Sequence, residues 1–88
     1  MRLRDGFEIV NVADDFLAVP VGKEARSFKG VVVINEAVAF LLNTMKKDMT
    51  LDTLVDTFID HYEVTREVAR SDIKKMLDYL KEVNLIED

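Results

Sequence analysis

The sequence predicts a single α+β domain of winged helix-turn-helix-like architecture, a three-stranded antiparallel sheet followed by three helices. Three observations carry this. Short runs of β-branched and aromatic residues fill the first third of the chain. From residue 36 onward the apolar residues recur at helical spacing. Asn35, Thr50 and Thr65 stand where helix N-caps are needed. At 88 residues the chain has room for one domain, spanning residues 1–88.

Phe7–Val12 and Phe16–Val21 read as strands, with Asp14-Asp15 supplying turn chemistry between them, so the pair predicts a hairpin over 7–12 and 15–20. Pro20 donates nothing to a ladder, which places that strand at an edge or ends it there. Residues 21–27, with Gly22 and several polar side chains, read as a loop. The third strand is expected over 29–34. Its run Val31-Val32-Val33-Ile34 is β-branched throughout. Alternation points Val31 and Val33 to one face and Val32 and Ile34 to the other. Both faces are apolar, so either both are covered or one is left for a ligand. Gly30, just before this run, lets another backbone come close.

Helices are expected over 36–46, 51–62 and 66–83. The first, with Ala37-Val38-Ala39-Phe40-Leu41-Leu42, is apolar almost all round and should be central. The second carries Leu51, Leu54, Val55, Phe58, Ile59 and Tyr62 at amphipathic spacing, with Asp52 in its first turn. The third has Ala69, Ile73, Met76, Leu77 and Leu80 as its stripe. Asn84 suits the left-handed backbone that ends a helix, and Leu85-Ile86 should fold back as an apolar tail.

Composition excludes several function classes. The net charge is −5 and no segment is net basic, which lacks the footprint of a nucleic-acid binder. There is no cysteine, hence no disulfide, thiolate nucleophile or sulfur-ligated zinc, and a small domain without staples suits the cytoplasm. No apolar run has the length of a signal-peptide core or a membrane span. His61 is the only histidine and has no ligand-type partner, so a structural or solvated role is preferred for it. Asp48, Asp52, Asp56, Asp60 and Glu63 read as a solvated acidic side of the second helix rather than a cation site. No phosphate loop or nucleophile elbow is present. The expectation is a binding module without catalytic activity or cofactor. Arg66, Arg70 and Lys74, spaced by four, line one side of the third helix beside Ile73 and Leu77, with Lys81 on roughly the same side. Together they form a basic border to an apolar seam.

In its order of motifs the chain resembles the PqqD family, within the wider class of precursor-peptide recognition elements. The resemblance rests on Phe28-Lys29-Gly30-Val31-Val32-Val33-Ile34-Asn35-Glu36, on Ala39-Phe40-Leu41, and on Thr50-Leu51-Asp52-Thr53-Leu54-Val55. It continues with Tyr62-Glu63-Val64, Ala69-Arg70-Ser71-Asp72-Ile73 and Leu80-Lys81-Glu82-Val83-Asn84-Leu85-Ile86. Two departures stand out. Lys47-Asp48-Met49 has no glycine where similar proteins often turn, and Asn84 stands where they often have Gly before Leu-Ile. The resemblance implies binding of the leader segment of a ribosomally made precursor peptide. The leader would add as a strand to the third strand, lie against the third helix and be presented to a modifying enzyme, commonly a radical S-adenosylmethionine enzyme. In similar proteins of lasso-peptide pathways the partner is a leader peptidase. The expected cleft has Gly30, Val31, Val32, Val33 and Ile34 as its floor, Ile73 and Leu77 as its wall, and Arg66, Arg70 and Lys74 as its rim. The alternative from another class is a winged-helix DNA-binding regulator, which the acids Glu67, Asp72, Asp78 and Glu82 on the third helix disfavour.

Overall fold

The computed structural model describes residues 1–28 and 30–88. The elements in chain order are β1 (Arg2–Leu3), β2 (Phe7–Val12), β3 (Asp15–Pro20), α1 (Glu24–Ser27), β4 (Val32–Ile34), α2 (Glu36–Thr44), α3 (Leu51–His61), α4 (Arg66–Glu82) and β5 (Ile86–Glu87). The expected α+β order is therefore present, within a residue or two at most element ends.

The main sheet is antiparallel with order β2-β3-β4. Ala13 and Asp14 form a two-residue turn between the paired Val12 and Asp15, and Ala13 takes a positive φ of 56° there. β3 is the central strand. It tolerates Pro20 because Pro20 is its last residue, so the proline ends the strand rather than marking an edge. β4 pairs through Phe16 with Ile34, Leu17 with Val33 and Ala18 with Val32. It begins at Val32, later than the expected residue 29; Lys29 itself lies outside the described residues. The segment expected as a loop contains a single helical turn, α1.

Helix starts follow the expected chemistry. The side chains of Asn35, Thr50 and Thr65 accept from the backbone N–H of Val38, Thr53 and Val68, respectively. The end of α4 is a Schellman motif. Asn84 has φ 62°, its N–H donates to the Lys81 carbonyl, and the Leu85 N–H donates to the Leu80 carbonyl at 2.9 Å. That turn directs the tail back along the domain, where β5 pairs with β1 through Leu3 and Ile86. The Leu3 N–H also donates to the Met45 carbonyl at the end of α2. This two-stranded tie between the chain ends was not among the sequence expectations.

One core joins all layers. α2 supplies Val38, Ala39, Leu41 and Leu42, α3 supplies Leu54, Val55 and Phe58, and α4 supplies Ala69, Ile73, Leu77 and Leu80. Leu3, Phe7, Ala18, Ile34, Leu85 and Ile86 close it from the strands and tail. Each fully buried leucine or isoleucine contributes about 1.5–3 kcal/mol relative to an exposed one. Among the described residues no helix is long and apolar enough to cross a membrane.

Candidate functional site: the free edge of β4 and the groove beside α4

Among the described residues β4 has a strand neighbour on one side, β3. In an antiparallel strand alternate residues turn their N–H and C=O away from that neighbour. β4 therefore offers unpaired backbone donors and acceptors along its outer edge. Its side chains split as alternation requires. Ile34 is buried and Val32 packs against the core, whereas Val33 is 65% exposed and Val31, just before the strand, is 49% exposed. Gly30 has φ 84°, in the left-handed region that favours glycine, and a Cβ there would meet nothing within 4 Å. Backbone conformation, rather than crowding, explains this glycine.

Between β4 and α4 lies a groove of about 300 Å³ lined by Val33, Ile34, Asn35, Val38, Lys75, Met76 and Tyr79. Val38 of α2 is buried beneath it, and Met76 packs on the core. Tyr79 is 43% exposed, and Lys75 makes no ion pair among the described residues. Val68 lies three turns before Tyr79, on the same side of α4, and is also exposed. The groove thus sets an open backbone edge beside an apolar strip and one free ammonium.

Of the expected floor, Val33 and Ile34 line this groove, whereas Gly30, Val31 and Val32 are outside its lining, Val32 packing against the core; the expected wall and rim lie elsewhere. Ile73 and Leu77 are core residues, 0% and 4% exposed. Arg70 pairs with Asp52 of α3 at 2.8 Å. Arg66 pairs with Asp56 of α3, and that hydrogen bond holds the guanidinium above its ordinary pKa. Lys74 lines a separate hollow with Met1, Leu51, Leu77, Asp78 and Lys81. The reason is helical geometry. One step along α4, from Lys74 to Lys75, swings around the axis by about 100°. That is enough to pass from the α3 side of the helix to the β4 side. Lys75 and Tyr79 were missed by the sequence reading. A signal was available in Val68 and Tyr79, two large apolar residues that lie off the main stripe yet share one side of the helix.

The remaining singled-out groups lie away from the groove lining. His61 is exposed and stacks on Phe40, with ring centroids 4.2 Å apart. Tyr62 packs against both Phe40 and Phe58, and burial, then the charge of Glu36, pushes its phenol above the ordinary pKa. Among the described residues no group of three or more His, Asp or Glu is arranged to hold a metal ion. Of the acids on α3, Asp52 and Asp56 are engaged by the two arginines of α4.

Known proteins share this fold. The structure described as "TbiB1 in complex with the TbiA(beta) leader peptide" superposes with a TM-score of 0.74 at 15% identity, covering 99% of this chain and 95% of that one. The structure described as "Lasso peptide synthetase B1 complexed with the leader peptide" also gives a TM-score of 0.74, at 20% identity, covering 99% of this chain and 96% of that one. At such identities the likeness speaks to the fold. No curated protein sequence matches the chain. The family model described as "Coenzyme PQQ synthesis protein D (PqqD)" matches residues 20–86, a span from the end of β3 to β5 that includes both walls of the groove, and the chain belongs to that family.

Proposed function

We propose that this chain binds the leader segment of a ribosomally synthesised precursor peptide as an added strand on β4 and presents the peptide to a separate modifying enzyme. The observation that carries the reading is the free edge of β4 facing the groove of Lys75, Met76 and Tyr79. Strand addition gives affinity through main-chain hydrogen bonds, and alternate side chains of the guest give specificity in the pockets beside it. Both structural neighbours are complexes with a leader peptide, which supports the same ligand class here.

The site we propose is Gly30, Val31, Val32, Val33 and Ile34 on the strand side, with Lys75, Met76 and Tyr79 on α4. Arg66, Arg70, Ile73, Lys74 and Leu77 support the helix from its other sides. The chain itself performs no catalysis and holds no cofactor. With no cysteine and a single histidine, it has few of the usual nucleophile and base pairs to draw on. The partner enzyme is a radical S-adenosylmethionine enzyme or, as the family resemblance also allows, a leader peptidase. The complex would form in the cytoplasm, where the precursor is made. DNA binding is disfavoured because the arginines of α4 are already paired with acids of α3.

Titration of labelled protein with synthetic leader peptide, followed by backbone amide shifts, tests the reading. The shifts should cluster on residues 30–34 and on the Lys75–Tyr79 flank of α4. Shifts confined to α3, or no saturable binding, would refute it.

A further inference from the structure

The main sheet has a second face that lies largely outside the groove. Register pairs Val10 with Leu17, and Leu17 with Val33, so these three side chains form one row across all three strands. Their chain neighbours Ile9, Phe16 and Val32 pack against the core, so the row points the other way, to the outside. Val12 extends the same face at the hairpin end and is 57% exposed. A contiguous apolar strip of this kind, rimmed by polar residues, marks an interaction surface more often than a bare protein face. Its rim is acidic on the hairpin side, away from Lys75 at the groove beside Val33. Glu8 stands on this face opposite Val19, Asp15 stands opposite Val12, and Asp14 is in the turn, while the hairpin from Phe7 to Pro20 contains no Lys or Arg.

We propose that this outer sheet face docks the enzyme that acts on the bound peptide, through an apolar patch of that enzyme bordered by Lys and Arg side chains. The proposal rests on the leader-binding reading above. Charge complementarity selects the occupant. A second copy of this chain would bring Glu8, Asp14 and Asp15 against their own kind, and an anionic membrane would be repelled in the same way. A basic-rimmed protein surface is attracted instead. Position gives the docking a purpose. A peptide added to β4 would continue the same sheet, so its alternate side chains would stand beside Val33 on the outer face. A partner covering that face would touch the peptide it has to process.

The test uses this chain, a synthetic leader peptide and a purified radical S-adenosylmethionine enzyme that modifies the precursor carrying that leader. In the double variant Glu8→Lys with Val12→Lys, affinity for the enzyme should fall by about tenfold or more, and leader affinity should stay within about twofold of wild type. Wild-type affinity for the enzyme should weaken as salt is raised. If the double variant does not keep its amide spectrum, Glu8→Gln alone serves, with an expected loss of about twofold to fivefold. Unchanged enzyme affinity in a folded variant overturns the docking face and leaves the leader reading standing. A wild-type chain that binds no leader overturns the leader reading instead. A wild-type dimer that the double variant converts to monomer assigns the face to a second copy and overturns the proposal.

Discussion

The two flanks of α4 both carry cations, yet they present opposite chemistry. On the α3 side, Arg66 and Arg70 are half exposed and held against Asp56 and Asp52, so they point along α3 and away from the groove. On the β4 side, Lys75 stands beside Met76 and Tyr79 at the groove, with no acid paired to it among the described residues. On the proposed reading the cation that serves the peptide is the one left both unpaired among the described residues and beside the open edge of β4; Lys74 is outside the ion pairs too, but lines a hollow away from that edge. Arg70 and Lys75 sit five residues apart on one helix, and only Lys75 meets both conditions.

The largest effects should come from the edge of β4. Replacing Val32 or Val33 by proline removes one backbone donor in each case, and alternation makes those donors point in opposite directions. One variant therefore loses a bond to β3 and should lose stability, by about 1–3 kcal/mol, the cost of a partner left without its hydrogen bond. The other keeps its stability and should lose most of its leader affinity. Urea unfolding and calorimetric titration of both variants separate the two outcomes. Equal behaviour in both assays would break the idea that the guest pairs with this edge.

Next in size is the apolar strip. Tyr79→Ala should reduce leader affinity by about 1–2 kcal/mol, the range of an interface aromatic that is partly buried by its partner. Tyr79 is 43% exposed, so the fold should lose little. A thermal melt beside the titration checks this. A smaller effect is expected from charge. Lys75→Glu should weaken the binding of a leader that carries carboxylates and should change its salt dependence. Arg70→Glu should leave both unaltered. If Arg70→Glu is the variant that weakens binding, the functional flank of α4 is the one toward α3, and the comparison above is reversed.

Most of the scaffold was legible from local chemistry. The caps Asn35, Thr50 and Thr65, the left-handed Asn84 and the alternation of Val31 to Ile34 are decided by residues within a few positions of one another. On the strand side of the candidate site, the same local alternation placed Val33 outward and Ile34 inward, and both line the groove. The helix side of the site was not legible. Which flank of α4 meets β4 depends on how three helices pack, and the apolar stripe of Ile73 and Leu77 marks the direction of the core rather than the direction of the groove. The arginines misled because their partners Asp56 and Asp52 lie ten and eighteen residues away, on another helix. Nothing in the local sequence of α4 announces that those charges are already matched. The β1–β5 tie was missed on similar grounds, because two-residue strands at opposite ends of the chain carry no periodicity to read.

The smallest expected effect tests the pairing itself. A double-mutant cycle between Arg70→Ala and Asp52→Ala should give a coupling of about 0.2–1 kcal/mol. It should not be larger, because the Arg70 and Asp52 side chains are 45% and 77% exposed and water screens their attraction. Asp52 has a second role that the cycle removes. It lies in the first turn of α3, where a carboxylate is favoured by the helix dipole, so Asp52→Ala alone should cost more than the coupling reports. That dipole contribution is present with or without Arg70, and it cancels in the difference. The coupling should shrink on going from low salt to about 0.5 M, since exposed ion pairs are screened over a Debye length of a few ångströms there. The same cycle run between Lys75→Ala and Asp52→Ala should give no coupling, because Lys75 faces the opposite side of α4. Urea unfolding curves of the single and double variants supply all the terms. A Lys75 coupling as large as that of Arg70 would mean that the two flanks are not electrostatically distinct.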